Sequence, residues 1–181
     1  DEKAAVADMF LLTMKPTLYV ANVDEDSVAE QTNKYVEIVR KYADEEKSEV
    51  VVICGKFEAD LAEIEDAADK KDFMESVGLK ESGLAVLARK AYHLMGLRTF
   101  FTGGLDECRA WTIHAGDKAP RAAGVIHTDF EKGFIRAEAY TIDDLRQYGD
   151  EAAIKAAGKY RQEGKEYVVQ DGDVLFFKFN V

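Results

Sequence analysis

The sequence predicts two different folds in one chain, an α/β unit over residues 1–96 and an α+β unit over residues 97–181. Two apolar, β-branched runs with a helical pattern between them predict parallel strands in the first part. From Leu97 onward, short strands alternate with glycine-containing turns. Charge follows a similar division, since residues 1–83 hold 10 basic and 21 acidic side chains and residues 84–181 hold 14 of each.

Composition bounds the class of protein. The 181 residues are 47% hydrophobic and include only 2 prolines, so a core can form and a long disordered segment is not expected. No run approaches the roughly 18 apolar residues of a membrane span. Cys54 and Cys108 have no Cys or His at metal-ligand spacing, which argues against a zinc site. We expect a soluble, cytoplasmic chain without membrane association.

Apolar periodicity predicts each element of the first unit. Its helices follow the 3.6-residue repeat, and its strands are continuous apolar runs expected to be fully buried. In chain order, we predict a helix over residues 1–14, a strand over 17–23, a helix over 33–46, a strand over 50–54, and helices over 59–66, 71–77 and 84–95. The apolar stripe of the last helix is expected in the core.

The second unit is predicted as a small α+β roll, because short strands surround its helical patterns. In chain order, we predict a hairpin of residues 98–102 and 109–113, a helix over 119–126, a strand over 134–140, helices over 143–148 and 151–163, and a second hairpin of residues 167–169 and 174–181. Asp171-Gly172 is a strong turn signal for that second hairpin.

Polar residues follow the first strand directly, in the order Asn22, Val23, Asp24, Glu25. In an open parallel sheet, ligands bind at this edge. The spacing resembles the base-reading motif Asn-Lys-x-Asp of P-loop GTPases, with Val23 in place of Lys and Glu25 in place of Asp. Adenine offers a single exocyclic donor, so the altered motif favours ATP over GTP. The plain alternative is a turn that opens the next helix.

Longer blocks carry a resemblance over essentially the whole chain. They are residues 15–25 (KPTLYVANVDE), 58–60 (EAD), 109–113 (RAWTI), 127–137 (HTDFEKGFIRA) and 171–174 (DGDV). These blocks resemble the C-terminal half of the YchF/Obg-like ATPases, which are related to the TRAFAC-class P-loop GTPases. The resemblance implies a C-terminal fragment of a ribosome-associated ATPase that hydrolyses ATP, and GTP less well, when intact.

The resemblance also implies a domain organisation and a nucleotide site. Residues 1–96 would be the C-terminal part of the nucleotide-binding domain with the end of a helical insertion. Residues 97–181 would be a TGS domain, a ubiquitin-like β-grasp module. The implied contacts of ATP are Asn22, Val23, Glu25, Cys54, Gly55 and Lys56. The alternative for the last three is a buried free thiol followed by an ordinary turn, capped near Glu58.

No phosphate-binding motif Gly-x-x-x-x-Gly-Lys-Ser/Thr occurs in the sequence. Phosphoryl transfer depends on phosphate cradling and Mg²⁺. We therefore expect no nucleotide hydrolysis by this chain alone, and Mg²⁺ only in the intact protein. The resemblance implies that the P-loop lies upstream of Asp1.

The second unit contains candidate residues for RNA or ribosome contact, because aromatic side chains can stack on bases and cations can meet phosphates. They are Arg109, Arg121, His127, Phe130, Lys132 and Arg136. The alternative to RNA contact is a structural role for this loop, in which Thr128 or Asp129 is a turn or cap residue and Phe130 anchors the core. Residues 155–165 hold four more cations at near-helical spacing, either a basic strip or a solvated helix face.

Two functions remain open. The first is a ribosome-associated ATPase fragment whose TGS surface binds the ribosome or its RNA. The second is a non-catalytic module whose β-grasp edge or sheet face binds a protein partner. Salt dependence separates them, because binding to RNA weakens steeply with salt whereas an apolar protein interface does not.

Overall fold

The computed structural model of the chain describes residues 6–104 and 107–180. The chain divides into two compact units, the first ending at Met95 and the second beginning at Gly96. Within the described ranges, no helix is long and apolar enough to cross a membrane.

The first unit contains a parallel βαβ arrangement, as predicted. Its elements are β1 (Leu18–Asn22), α1 (Glu25–Val28), α2 (Lys34–Glu46), β2 (Glu49–Ile53), α3 (Gly55–Glu63), α4 (Ala67–Ser76) and α5 (Gly83–Leu94). β1 and β2 pair in parallel, from Leu18 opposite Glu49 to Asn22 opposite Ile53. Both strands therefore end at the same edge of the sheet.

The core of the first unit lies beside β2, α3 and α4. Val28, Cys54, Phe57 and Leu61 are buried together, and the ring of Phe57 stacks on that of Phe73 with centroids 4.9 Å apart. Burial of Cys54 confirms the interpretation of this residue as a buried free thiol.

Two predictions about burial in the first unit are wrong. Val20 is 44% exposed, because within the described residues the sheet has only two strands and β1 is half-buried. In α5, Leu84 is 52% and Met95, directly after the helix, 53% exposed, so the apolar stripe is not all core. Periodicity identifies an apolar face, but burial requires a partner that covers it.

The predicted helix over residues 1–14 is also wrong. The described part contains two short 3₁₀ turns, Ala7–Met9 and Leu12–Met14, and Phe10 between them has a φ of +49°. Phe10 and Leu12 are 82% and 81% exposed. A short helix is marginal without tertiary packing of its apolar face, and these side chains lack such packing. Residues 1–5 of the prediction lie outside the described residues.

The second unit is a mixed five-stranded sheet with helices on both faces. Its elements are β3 (Leu97–Gly103), β4 (Cys108–His114), α6 (Ala119–Ile126), α7 (Thr128–Lys132), β5 (Phe134–Thr141), α8 (Ile142–Tyr148), α9 (Glu151–Ala156), β6 (Arg161–Glu163) and β7 (Asp173–Phe179). The strand order is β4-β3-β7-β5-β6. β3 and β7 pair in parallel at the centre, and the other pairs are antiparallel.

The two faces of this sheet have separate cores. On one face, Phe100, Ile113 and Leu175 pack with the alanines of α6. On the other, Tyr140 and Val174 pack with Ile154 of α9. We call these the α6 face and the α9 face.

The predicted second hairpin is wrong, although β3 and β4 form the first one as expected. Residues 167–169 are not a strand, and β7 pairs with β5 and β3 instead. Asp171 and Gly172 form a turn, but its hydrogen bonds go to β3: Thr99 N donates to Asp171 Oδ1 (2.7 Å), and Gly172 N donates to Thr99 O (2.8 Å). The turn therefore anchors the chain to a distant strand.

The predicted helix over residues 151–163 ends early, at Ala156. Gly158 has a φ of +69°, and Arg161–Glu163 pairs with β5 as a strand. The cations at Lys155, Lys159, Arg161 and Lys165 are therefore not on one helix, so the interpretation as a solvated helix face is wrong.

Candidate functional site

The carboxyl ends of β1 and β2 meet at one sheet edge, and their loops are tied together there. Asn22 is the last residue of β1 and Gly55 is the first residue of α3. Gly55 N donates to Asn22 Oδ1 (2.9 Å), and Val23 N donates to Ile53 O (2.8 Å). The Asn22 side chain thus holds the second loop against the first strand.

Two charged side chains meet in front of this edge. Lys56 Nζ lies 2.6 Å from Glu25 Oε2, and both side chains are largely exposed. The hydrogen bond and charge of Glu25 raise the pKa of Lys56 above its usual value, so the ammonium stays charged at neutral pH. Glu25 and Lys56 are each near the start of a helix, where the backbone N–H groups favour anions.

The neighbouring Asp24 has a structural role. Its side chain accepts from Ser27 N (3.0 Å) and caps α1. Hydrogen bonding to Ser27 lowers the pKa of Asp24. Asp24 is therefore occupied as the cap, whereas Glu25 uses only Oε2 for Lys56 and keeps Oε1 for a ligand.

Two other predicted nucleotide contacts, Val23 and Cys54, are less exposed than Glu25 and Lys56. Val23 packs against the core of the first unit. Cys54 is buried and its Sγ accepts from Phe57 N (3.5 Å), so the thiol caps α3. The helix therefore starts at Gly55, four residues earlier than predicted, and Glu58 is not its cap.

Sequence reasoning missed the role of Glu58. This carboxylate is buried, and its Oε1 accepts from Gly83 N (2.7 Å), which ties α3 to the start of α5. The two residues are 25 positions apart, so no local spacing signals the contact. Among the described residues, no group of three His, Cys, Asp or Glu side chains could hold a metal ion.

The candidate RNA-contacting residues of the second unit do not form one surface. Arg109 lies over the ring of Trp111, 5.5 Å from its centroid, and Trp111 packs against the core of the α6 face. Arg136 contacts Glu138, whose other oxygen accepts from Tyr160 OH on the α9 face. Arg136 is therefore separated from Arg109 by the sheet.

The loop between α6 and α7 combines structural and exposed groups. His127 Nδ1 accepts from Asp129 N (3.2 Å), so His127 caps α7, not Thr128 or Asp129 as the alternative expected. Phe130 stacks on Phe179 with centroids 3.9 Å apart, which makes it an anchor of the core. Lys132, at the end of α7, is exposed.

Comparison with known proteins identifies the family of the second unit. Residues 97–180 match a family model named YchF-GTPase_C, described as a protein of unknown function (DUF933). Over its full length, the chain is 51% identical to the ribosome-binding ATPase YchF of Haemophilus ducreyi. The second unit is a YchF-GTPase_C domain. The YchF protein of Bacillus subtilis is 52% identical over 182 residues, again across the whole chain.

A solved structure agrees with this assignment. The YchF GTPase of Schizosaccharomyces pombe matches 98% of the chain with a TM-score of 0.85 and 38% identity. The resemblance to YchF proteins predicted from the sequence blocks is thereby confirmed. The chain spans about half the length of the relatives that it matches: 49% and 50% of the two bacterial proteins and 47% of the yeast chain.

Proposed function

We propose that this chain divides two tasks between its units: the first unit reads the base of ATP, and the second contacts the ribosome. One observation supports base reading by the first unit. Asn22, Glu25 and Lys56 come together at the carboxyl edge of two parallel strands, which is where open α/β sheets bind ligands.

The residues at this edge fit adenine. Lys56 donates to Glu25 Oε2, which leaves Oε1 to accept a hydrogen bond from a base. Adenine has one exocyclic amino group to donate, whereas a carboxylate that reads guanine accepts two hydrogen bonds. Asn22 braces the loop, and Gly55 and Lys56 border the base. When ATP is bound, its phosphates and Mg²⁺ would supply the hydrolytic chemistry, with the P-loop in the intact protein.

For the second unit, we propose a TGS domain of the β-grasp type over residues 97–181, following the end of the nucleotide-binding domain over residues 1–96. A helix packed on a mixed sheet, with the first and last strands parallel at its centre, supports this assignment. The relatives named ribosome-binding ATPase support contact with the ribosome. We place this contact on ribosomal RNA, through Arg109, Arg121, His127 and Lys132, in the cytoplasm.

A change of Glu25 tests base reading. In the full-length protein, Glu25→Ala should reduce the preference for ATP over GTP about tenfold, because it removes a hydrogen bond to a charged acceptor worth roughly 1.5–3 kcal/mol. Competition between the two nucleotides in equilibrium binding measures the preference. Asp26→Ala is the matched control, since Asp26 is an exposed acid in the same helical turn. Unchanged selectivity in Glu25→Ala would contradict the assignment.

One observation favours the second candidate, a protein-binding module. β4 is an edge strand, with β3 as its neighbour in the described sheet. Such an edge can accept an extended peptide as an added strand. The salt dependence of ribosome binding separates this candidate from RNA contact, because RNA contact weakens steeply with salt.

A further inference from the structure

An open groove lies on the α6 face of the second unit, at the end of the β3–β4 hairpin. Its volume is about 360 Å³, within the roughly 300–1,000 Å³ range of small-ligand sites. Its main lining residues are Thr102, Arg109, Trp111, Ile126, Phe130 and Phe177. The aromatic residues Trp111, Phe130 and Phe177 thus border one groove, and of its lining residues the ribosome contact proposed above uses only Arg109.

The polar groups of the groove are fixed in place. Trp111 Nε1 donates to Thr102 Oγ1 (2.9 Å), which sets the orientation of the indole ring. Arg109 lies over that ring and donates from Nε to Glu107 Oε1 (2.7 Å). The groove therefore offers aromatic walls together with one donor group and one acceptor group at its rim.

This combination matches an unpaired nucleobase better than an apolar peptide side chain. A base presents flat faces that stack on aromatic rings and an edge that both donates and accepts hydrogen bonds. Arg109 can also meet the attached phosphate as a cation. A Phe or Leu side chain would use the walls but form no hydrogen bond with Arg109 or Glu107.

We propose that this groove binds an unpaired base of single-stranded RNA. The inference rests on the proposed RNA contact of the second unit and names the point of that contact. Trp111 is the only tryptophan of the 181 residues, so its fluorescence reports the groove directly.

The test titrates the 181-residue chain with a mixed-sequence, single-stranded 12-nucleotide RNA. We expect saturable quenching of Trp111 emission, and no such quenching by inorganic polyphosphate at the same phosphate concentration. Arg109→Gln should weaken RNA binding about fivefold at 0.1 M salt and reduce the salt slope by about 0.7, as loss of one phosphate contact predicts.

Arg146→Gln is the matched control, because Arg146 is an exposed arginine on α8 and undergoes the same charge change. It should bind RNA as the parent does. Equal quenching by polyphosphate, equal affinity of the two variants, or no saturable quenching by RNA would overturn the proposal. Quenching by an alternating Thr-Phe hexapeptide without a response to RNA would overturn it in favour of a protein partner.

Ribosome binding separates failure of this inference from failure of the proposed function. If the chain pellets with ribosomes while RNA leaves Trp111 emission unchanged, the groove proposal falls and the ribosome contact stands. If RNA quenches Trp111 but the chain does not pellet, the groove proposal stands and the ribosome contact falls.

Discussion

At the scale of single residues, Asp173 holds the loops of the second unit together. It is fully buried, and its carboxylate accepts from Tyr167 OH (2.7 Å), Gln170 N (2.9 Å) and Arg161 Nη2 (3.1 Å). Burial, followed by the hydrogen bond to Asp173, raises the pKa of Tyr167 to about 12. Tyr167 therefore remains a neutral donor across the physiological pH range.

Replacing this carboxylate should cost stability. Asp173→Asn is expected to lower the free energy of unfolding by about 3 kcal/mol, because removing one partner of a buried pair leaves the other donors poorly satisfied. Urea unfolding followed by Trp111 emission measures the effect in the second unit. Glu163→Gln, which removes the other carboxylate near Arg161, should cost less than about 1 kcal/mol. Equal losses in the two variants would refute a central role for Asp173.

The residues of the candidate nucleotide site were predictable from the sequence only in part. The motif places Asn22 and Glu25 at a strand end, and the structure brings them beside Gly55 and Lys56 as the parallel pairing requires. Periodicity could not indicate that Lys56 pairs with Glu25, since the two are 31 positions apart. The contact between Lys56 and Glu25 depends on the register in which β1 pairs with β2, and this register is set by tertiary structure.

At the scale of elements, the contact between the start of β5 and the end of β7 depends on Gly133. Asn180 N donates to Gly133 O (2.9 Å). A Cβ on Gly133 would overlap the backbone carbonyl oxygen of Asn180. The φ of Gly133 is −88°, which any residue can adopt, so space, not backbone conformation, requires glycine here.

Gly133→Ala should therefore separate the strand ends and destabilise the second unit by about 1–3 kcal/mol, the usual cost of overpacking. Gly164→Ala is the control, because a Cβ there would meet nothing within 4 Å; it should change stability by less than about 0.5 kcal/mol. Urea midpoints of the two variants, read from Trp111 emission, make the comparison. Similar midpoints would show that the β5–β7 contact tolerates a side chain.

Several elements with clear local signals were predicted well, whereas strand pairing that depends on distant partners was not. α6 spans the predicted residues 119–126, and α2 begins after its cap Asn33. The turn at Asp171-Gly172 exists, but its strand pairs with β3 and β5 because hydrogen bonds to Thr99 outweigh a local hairpin. Turn chemistry identifies a reversal of the chain and does not choose the strand that follows it.

At the scale of the whole molecule, charge separates the two units. Residues 1–95 hold 12 basic and 21 acidic side chains, a net charge of −9, whereas residues 96–181 hold 12 and 14, a net charge of −2. The strongly acidic first unit repels RNA phosphates, so we assign the proposed contact with ribosomal RNA to the second unit on electrostatic grounds. This division agrees with a base-reading site in the first unit.

The most direct test of this division of tasks is co-sedimentation of the 181-residue chain with purified ribosomes across a salt series. We compare Glu25→Ala with the double variant Arg121→Gln/Lys132→Gln; His127 is left intact because it caps α7. The control for charge is Arg146→Gln/Lys155→Gln, on the helices of the α9 face.

We expect pelleting to weaken steeply with salt. Glu25→Ala and the control should pellet as the parent chain does, and Arg121→Gln/Lys132→Gln should bind at least tenfold more weakly. Salt-independent pelleting, or undiminished pelleting of Arg121→Gln/Lys132→Gln, would contradict RNA contact through the second unit and favour a protein interface. Loss of pelleting in Glu25→Ala would contradict the separation of the two tasks.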